Sequence, residues 1–160
     1  MTTPELCILG IDPGASGAIA FYFPSRPDLI GAEDVPLAGG EIDAATLARR
    51  IVQMAPTVAI IEHVGPMPKQ GVSSTFKFGV AYGVVRGVVQ ALNVPMHLVT
   101  PGRWKKHFRL DSDKEKARAL ALRYWPSSIH FSRKKDHGRA EAALLARFAA
   151  ETIGGANVAS

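Results

Sequence analysis

The sequence predicts an α/β fold, a five-stranded mixed sheet flanked by helices. Three observations point there. Two short apolar runs, Leu6–Asp12 and Thr57–Glu62, each end in a carboxylate, as strands delivering an acid to a sheet edge do. Apolar runs at 6–12, 17–23 and 29–35 follow one another across short turns, which predicts an antiparallel meander. Beyond residue 43, segments of helical period alternate with short apolar runs, which predicts crossovers into parallel, buried positions.

The meander comes first. Asp12 precedes a Pro13-Gly14 turn signal, and Gly17 opens the second strand, which runs to Phe23. A carboxylate closing a buried strand needs a partner, such as a metal ion. The same residue also suits an ordinary turn, since Asp before Pro-Gly is common there. A Pro-containing turn over 24–28 leads to a third strand near 29–35, and 37–41 reads as a glycine-containing loop. Asp43 has the chemistry of a helix N-cap. Ala44, Leu47, Ala48, Ile51 and Ala55 recur at helical spacing, and Pro56 ends the helix. Thr57–Glu62 follows as the fourth strand. If it lies parallel to the first, Asp12 and Glu62 stand side by side, and a shared divalent cation relieves their repulsion.

A Gly/Pro-rich loop, 63–72, precedes a helix that opens at Ser73 or Ser74 and runs to about Leu92. Gly79, Gly83 and Gly87 recur in it every fourth residue. Each glycine costs about 1 kcal/mol relative to alanine, so such a stripe is expected where another backbone comes close, on the sheet or on a partner's helix. Met96–Val99 is the fifth strand. Pro101 starts a short helix with Trp104 to bury and Arg103, Lys105 and Lys106 to expose. Ser112 and Glu115 have the spacing of a capping box, and the helix they open stops at Pro126. A polar, basic loop over 127–139 leads into a last helix near 137–153.

The totals bound the protein class. The 160 residues, 47% of them hydrophobic, suffice for one domain over 1–160 with a real core. No apolar run is long enough to span a bilayer, and the N-terminus carries no signal pattern. The single cysteine, Cys7, cannot form an internal disulfide, which favours a reducing compartment. The expected location is the cytoplasm of a bacterial cell or phage-infected host. The net charge of +5 is concentrated: residues 101–139 carry twelve Lys/Arg against four Asp/Glu, whereas 1–100 carry six against eight. A polyanion-binding surface has this distribution.

The last helix adds a third group of acids. Asp136 sits at its start, as a helix cap or a metal ligand, and His137 and Glu141 share a face one turn apart. Carboxylates at two strand ends and one helix start, flanked by basic segments, suit phosphodiester hydrolysis by two divalent ions about 4 Å apart. Oxygen ligands favour Mg²⁺, with Mn²⁺ able to substitute. The element order β-β-β-α-β-α-β-α is similar to that of the ribonuclease H-like fold.

Four blocks then carry a family resemblance: GIDPGASGAIAF (10–21), IIEHVGPMPKQGVSSTFKFGVAYG (60–83), VTPGRWKK (99–106) and KDHGRAEAALLA (135–146). Together they resemble RuvC-type Holliday junction resolvases, in particular the phage and organelle branch. The resemblance implies a homodimer that binds four-way junction DNA and makes paired, symmetric nicks with two Mg²⁺ ions per site. It implies Asp12, Glu62, Asp136 and Glu141 as the catalytic, metal-binding acids. It also places Ser74–Gly79 on a Ser-x-x-Lys-x-Gly-like helix that commonly lies at the dimer interface. Two positions depart from the bacterial pattern. Gly138 stands where the earlier of two helix acids is usual, so Asp136, the favoured ligand, or His137 takes over. Gly65 stands where an aromatic residue is usual, so Met67 is the candidate wedge into the junction. Expected DNA contacts are Met67, Lys69, Gln70, Ser73, Ser74, Lys77, Arg103, Lys105, Lys106, Lys114, Lys116, Arg133, Lys134 and Lys135.

Two other readings compete. With Gly138 in place of an acid, a module that binds branched nucleic acid without cutting it is one. A related nuclease for other branched DNA or structured RNA would need the same acids. The first hairpin also suits the phosphate loop of an actin-like or sugar-kinase ATPase, but that fold needs two such domains and the chain holds one.

Overall fold

A computed structural model describes residues 3–153. Strands β1 (Ile8–Asp12), β2 (Ala18–Tyr22) and β3 (Ile30–Asp34) form the antiparallel meander. The segment 37–41, expected as a loop, folds with Ile42 into a two-stranded hairpin, β4 (Leu37–Ala38) and β5 (Glu41–Ile42). Two-residue strands are too short to show alternation in a sequence. Helix α1 (Ala44–Met54) follows, capped by Asp43, whose side chain accepts from Thr46 N. Next come β6 (Val58–Glu62), α2 (Val72–Ala91), β7 (Met96–Val99), α3 (Pro101–His107), α4 (Lys114–Tyr124) and, after a 3₁₀ turn at Lys134–Asp136, α5 (His137–Thr152). None of the described helices is long and apolar enough to cross a membrane.

The main sheet has five strands in the order β3-β2-β1-β6-β7, with β6 parallel to both β1 and β7. This is the expected five-stranded mixed sheet flanked by helices. Two helix starts differ from expectation. The Ser112–Glu115 capping box does not form. Asp111 Oδ1 accepts from Asp113 N (2.8 Å), and Asp113 then caps α4 by accepting from Glu115 N (2.9 Å). The turn at Asp111 thus moves the cap one residue past Ser112. Helix α2 starts at Val72 behind Gly71, with no side-chain cap, so Ser73 and Ser74 lie within its exposed first turn.

Strand alternation sorts the core into two layers. Leu9, Ile11, Ile19, Phe21, Ala59 and Ile61 pack on one face with Leu47 and Ile51 of α1 and Val85 and Val89 of α2. Ile8, Ala18, Ala20, Val58 and Ile60 pack on the other with α5, α4 and Trp104 of α3. Each fully buried large aliphatic or aromatic side chain contributes roughly 1.5–3 kcal/mol. Helix α5 lies closest to the sheet. A Cβ at Gly10 would stand 2.1 Å from Ala142 O and 2.8 Å from Ala146 N. Only a glycine on the strand facing alanines on the helix permits that approach.

This contact predicts a large effect from one methyl group. Gly10→Ala is expected to lose roughly 3 kcal/mol or more, beyond the usual cost of overpacking because the clash is with backbone. Urea unfolding monitored by circular dichroism measures it, and a loss under about 1 kcal/mol would contradict the α5–β1 packing.

Candidate active site

The same alternation that builds the core also aims the acids. Asp12 is two residues beyond Gly10, and Glu62 two beyond Ile60, so both carboxylates point to the α5 side of the sheet. The parallel register pairs Ile11 with Ile61, which places Asp12 and Glu62 at adjacent strand ends. Glu141 comes down from the second turn of α5 and is buried (7% exposed), as is Glu62 (9%). Three acids from three elements therefore lie at the same end of the sheet.

Their electrostatics are those of a crowded anionic site. Burial pushes the Asp12 carboxyl well above its ordinary value, and the charges of Glu141 and Glu62 add to the rise. Burial raises Glu141 too, with Glu62 the next cause. Lys105 of α3 and Lys114 of α4 oppose both shifts. Among the described residues no three His, Cys, Asp or Glu side chains are grouped so that they could hold one metal ion, so the acids share an end of the sheet without forming a ready-made cage. Glu62 is anchored from behind by the fully buried Trp104, whose Nε1 donates to Glu62 Oε1 at 3.0 Å. A hydrogen bond to a charged group contributes on the order of 1.5–3 kcal/mol.

The fourth expected acid is elsewhere. Asp136 is buried, but its oxygens accept from Arg133 N (2.8 Å) and from the Arg133 guanidinium (2.7 Å at the closest), with Arg139 3.9 Å away. Burial alone would raise its pKa; these hydrogen bonds outweigh that and hold it below the ordinary aspartate value. Asp136 thus braces the turn before α5. The position that does face Asp12 is Gly138, where a Cβ would stand 3.3 Å from Asp12 Oδ2. His137 opens α5 with Nδ1 buried and unpaired.

The expected DNA contacts divide by what already holds them. Lys116 is paired with Asp111, and Arg133 with Asp136. Among the described residues, no ion pair engages Lys69, Lys77, Arg103, Lys105, Lys106, Lys114, Lys134 or Lys135. Met67 is exposed (69%). With Gln70, His63, Pro66, Phe78 and Pro101 it lines a cavity of about 380 Å³ directly beyond the end of β6. Sequence reasoning missed the role of Trp104, which it assigned only to the core. A buried indole usually finds an acceptor, and that was the available signal.

The raised carboxyl groups have a definite sign in stability. Folding holds the protons on Asp12 and Glu141 more tightly than the unfolded chain does, so their contribution is fully present below the ordinary carboxylate values and is lost as pH rises through the raised ones. At neutral pH Asp12→Asn is expected to add about 1 kcal/mol, or roughly 2–4 °C in Tm. The gain should shrink as pH is lowered toward the ordinary aspartate value of 3.8. Differential scanning calorimetry across that range checks it, and a gain independent of pH would contradict the charge crowding.

No family model matches the chain, and no curated protein sequence matches it significantly. Solved structures do. RuvC of Thermus thermophilus in complex with Holliday junction substrate superposes with TM-score 0.64 at 18% identity, covering 92% of this chain and 96% of that one. The yeast mitochondrial Holliday junction resolvase Ydc2 gives 0.54 at 17%, covering 91% and 79%. Fowlpox virus resolvase, solved with its junction DNA, gives 0.53 at 15%, covering 92% and 99%. From its meander to its last helix, the chain therefore has the same fold as these bacterial, mitochondrial and viral structures.

Proposed function

We propose that the chain is a divalent-metal-dependent endonuclease that resolves four-way DNA junctions as a homodimer. One observation carries the reading: Asp12, Glu62 and Glu141 are brought from three elements to one end of a resolvase-like sheet. The donor set fits the implied metal. It is all carboxylate oxygen, as Mg²⁺ and Mn²⁺ prefer, and the raised Asp12 and Glu141 mark a place where added positive charge is favourable. These three residues would hold the metal, with two ions per site as the proposed load. When bound, the metal supplies Lewis-acid stabilisation of the charge that develops on the phosphate oxygens.

The protein's own groups complete the site. The charges of Lys105 on α3 and Lys114 on α4 act on Asp12 and Glu141 and would offset their repulsion of an incoming phosphate. Arg103, Lys106, Lys134 and Lys135 extend that positive border along the DNA backbone. Met67, at the rim of the cavity beyond β6, is the proposed wedge at the crossover. Asp136 is assigned to bracing rather than ligation. The second copy is placed on α2. A Cβ at Gly79, Gly83 or Gly87 would meet nothing within 4 Å, so the stripe is not packed on the sheet. Val72, Phe76 and Val80 are exposed beside it. The lone cysteine and the lack of a membrane-crossing helix among the described residues support action in a cytoplasm that holds the DNA.

Gly138 favours a second reading, a module that binds branched nucleic acid without cutting. One assay separates the two. Purified protein with Mg²⁺ is given a labelled four-way junction and a linear duplex of matched sequence. Paired, symmetric nicks in the junction alone are expected. Glu62→Gln should lower cutting beyond the roughly 100-fold typical of outer-shell changes, with junction binding within about 3-fold. Binding without cutting by the unaltered chain selects the second reading. Equal cutting of both substrates removes junction specificity.

The dimer has its own test. Sedimentation velocity should show two copies per particle, and Gly83→Leu, which puts a bulky side chain on the exposed stripe, should shift the particle to one. A monomer before substitution contradicts the placement on α2.

A further inference from the structure

We propose that Trp104 is the positioning residue of Glu62, holding one carboxylate oxygen so that the other is presented to the site. The proposal rests on the reading of Glu62 as a metal ligand. Trp104 Nε1, the single donor of a fully buried indole, is given to Glu62 Oε1 at 3.0 Å. Among the described residues Oε2 accepts no hydrogen bond. One oxygen of the carboxylate is thus held by the indole, and the other has no donor among the described residues.

The backbone makes this placement repeatable. Glu62 pairs with Val99 at the end of the sheet, and His63 N donates to Val99 O at 2.6 Å. Thr100 stands at the N-cap position of α3, without a side-chain cap, and Pro101 begins the helix, so Trp104 falls in the first turn beyond the strand end that borders Glu62. The chemistry of the donor suits the task. An indole N–H is neutral, so it fixes the rotation of the carboxylate while leaving its charge for a cation. A lysine or arginine in the same place would neutralise it. The cation that is present, Lys105, lies over the Trp104 ring at 5.6 Å from its centroid.

The second tryptophan is an internal control. Trp125 is equally buried, but its Nε1 donates to a backbone carbonyl, Pro27 O, at 2.9 Å. In the ¹⁵N-labelled protein two indole resonances are expected, assigned through Trp104→Phe and Trp125→Phe. Glu62→Gln should move the Trp104 indole upfield, since its acceptor loses its charge, and leave that of Trp125 in place. Trp104→Phe should lower kcat on the junction and weaken Mn²⁺ binding, measured by calorimetry, each by about 10–100-fold, with KM changed by no more than about 2-fold. A Trp104 resonance that ignores Glu62→Gln overturns the proposal. So does a folded Trp104→Phe protein with unchanged Mn²⁺ affinity. If Trp104→Phe fails to fold, the resonance shift in Glu62→Gln decides alone. If the unaltered chain binds Mn²⁺ yet cuts nothing, the nuclease reading fails, and the shift with the Mn²⁺ titration still decides this one.

Discussion

The close approach of α5 to β1 is the constraint on which the rest of the structure depends. Gly10 lies against the backbone of Ala142 and Ala146, nearer than any side chain on the strand would permit. That contact sets the depth of α5, and the depth sets the site. One turn before Ala142 the same helix carries Gly138 over Asp12, and the residue next to Ala142, Glu141, enters the acidic group. The alanines of α5 serve both ends of this arrangement. They bring the helix down onto the sheet, and they leave room for the one acid among them to be buried.

Burying acids together is unfavourable, and the surroundings offset it unevenly. Lys105 and Lys114 lower the cost at Asp12 and Glu141 without removing it, so both carboxyl groups remain raised. Glu62 receives a neutral donor from Trp104. Asp136 receives a full guanidinium from Arg133 and becomes part of the scaffold. The contrast is instructive. A carboxylate whose charge is satisfied by the protein has little left to offer a cation, whereas one held by an indole keeps its charge available. Gly138 fits the same economy of space, since a Cβ there already comes within 3.3 Å of Asp12.

The two faces of the sheet also divide the work. The α5 face carries the acids and the nearby lysines. The opposite face carries α1 and α2, and α2 in turn leaves a stripe of glycines and exposed apolar residues pointing away from the core. Apolar residues on the exposed as well as the buried side of a helix are a common mark of a surface that contacts another molecule. Site and proposed dimer contact are thus built on opposite layers.

Much of this was legible in the sequence because its signals are local. Period-two and period-3.6 patterns gave the strands and helices, Asp43 and Pro101 marked helix starts, and the acids at the ends of two apolar runs announced a shared sheet edge. What the sequence left open depends on distances between distant segments. The hairpin at Leu37–Ile42 is too short to have a period, and Asp111 displaced the expected cap at Ser112. Asp136 was favoured as a ligand over a helix cap, and only the tertiary structure shows it engaged by Arg133. Trp104 read as core because nothing local links it to Glu62, 42 residues earlier. The sequence by itself determined the elements, the sheet and the identity of the acids that close its strands. The tertiary structure alone decided which acids face one another and which are held by an arginine or an indole, because charge and hydrogen-bond partners act through space and have no period along the chain.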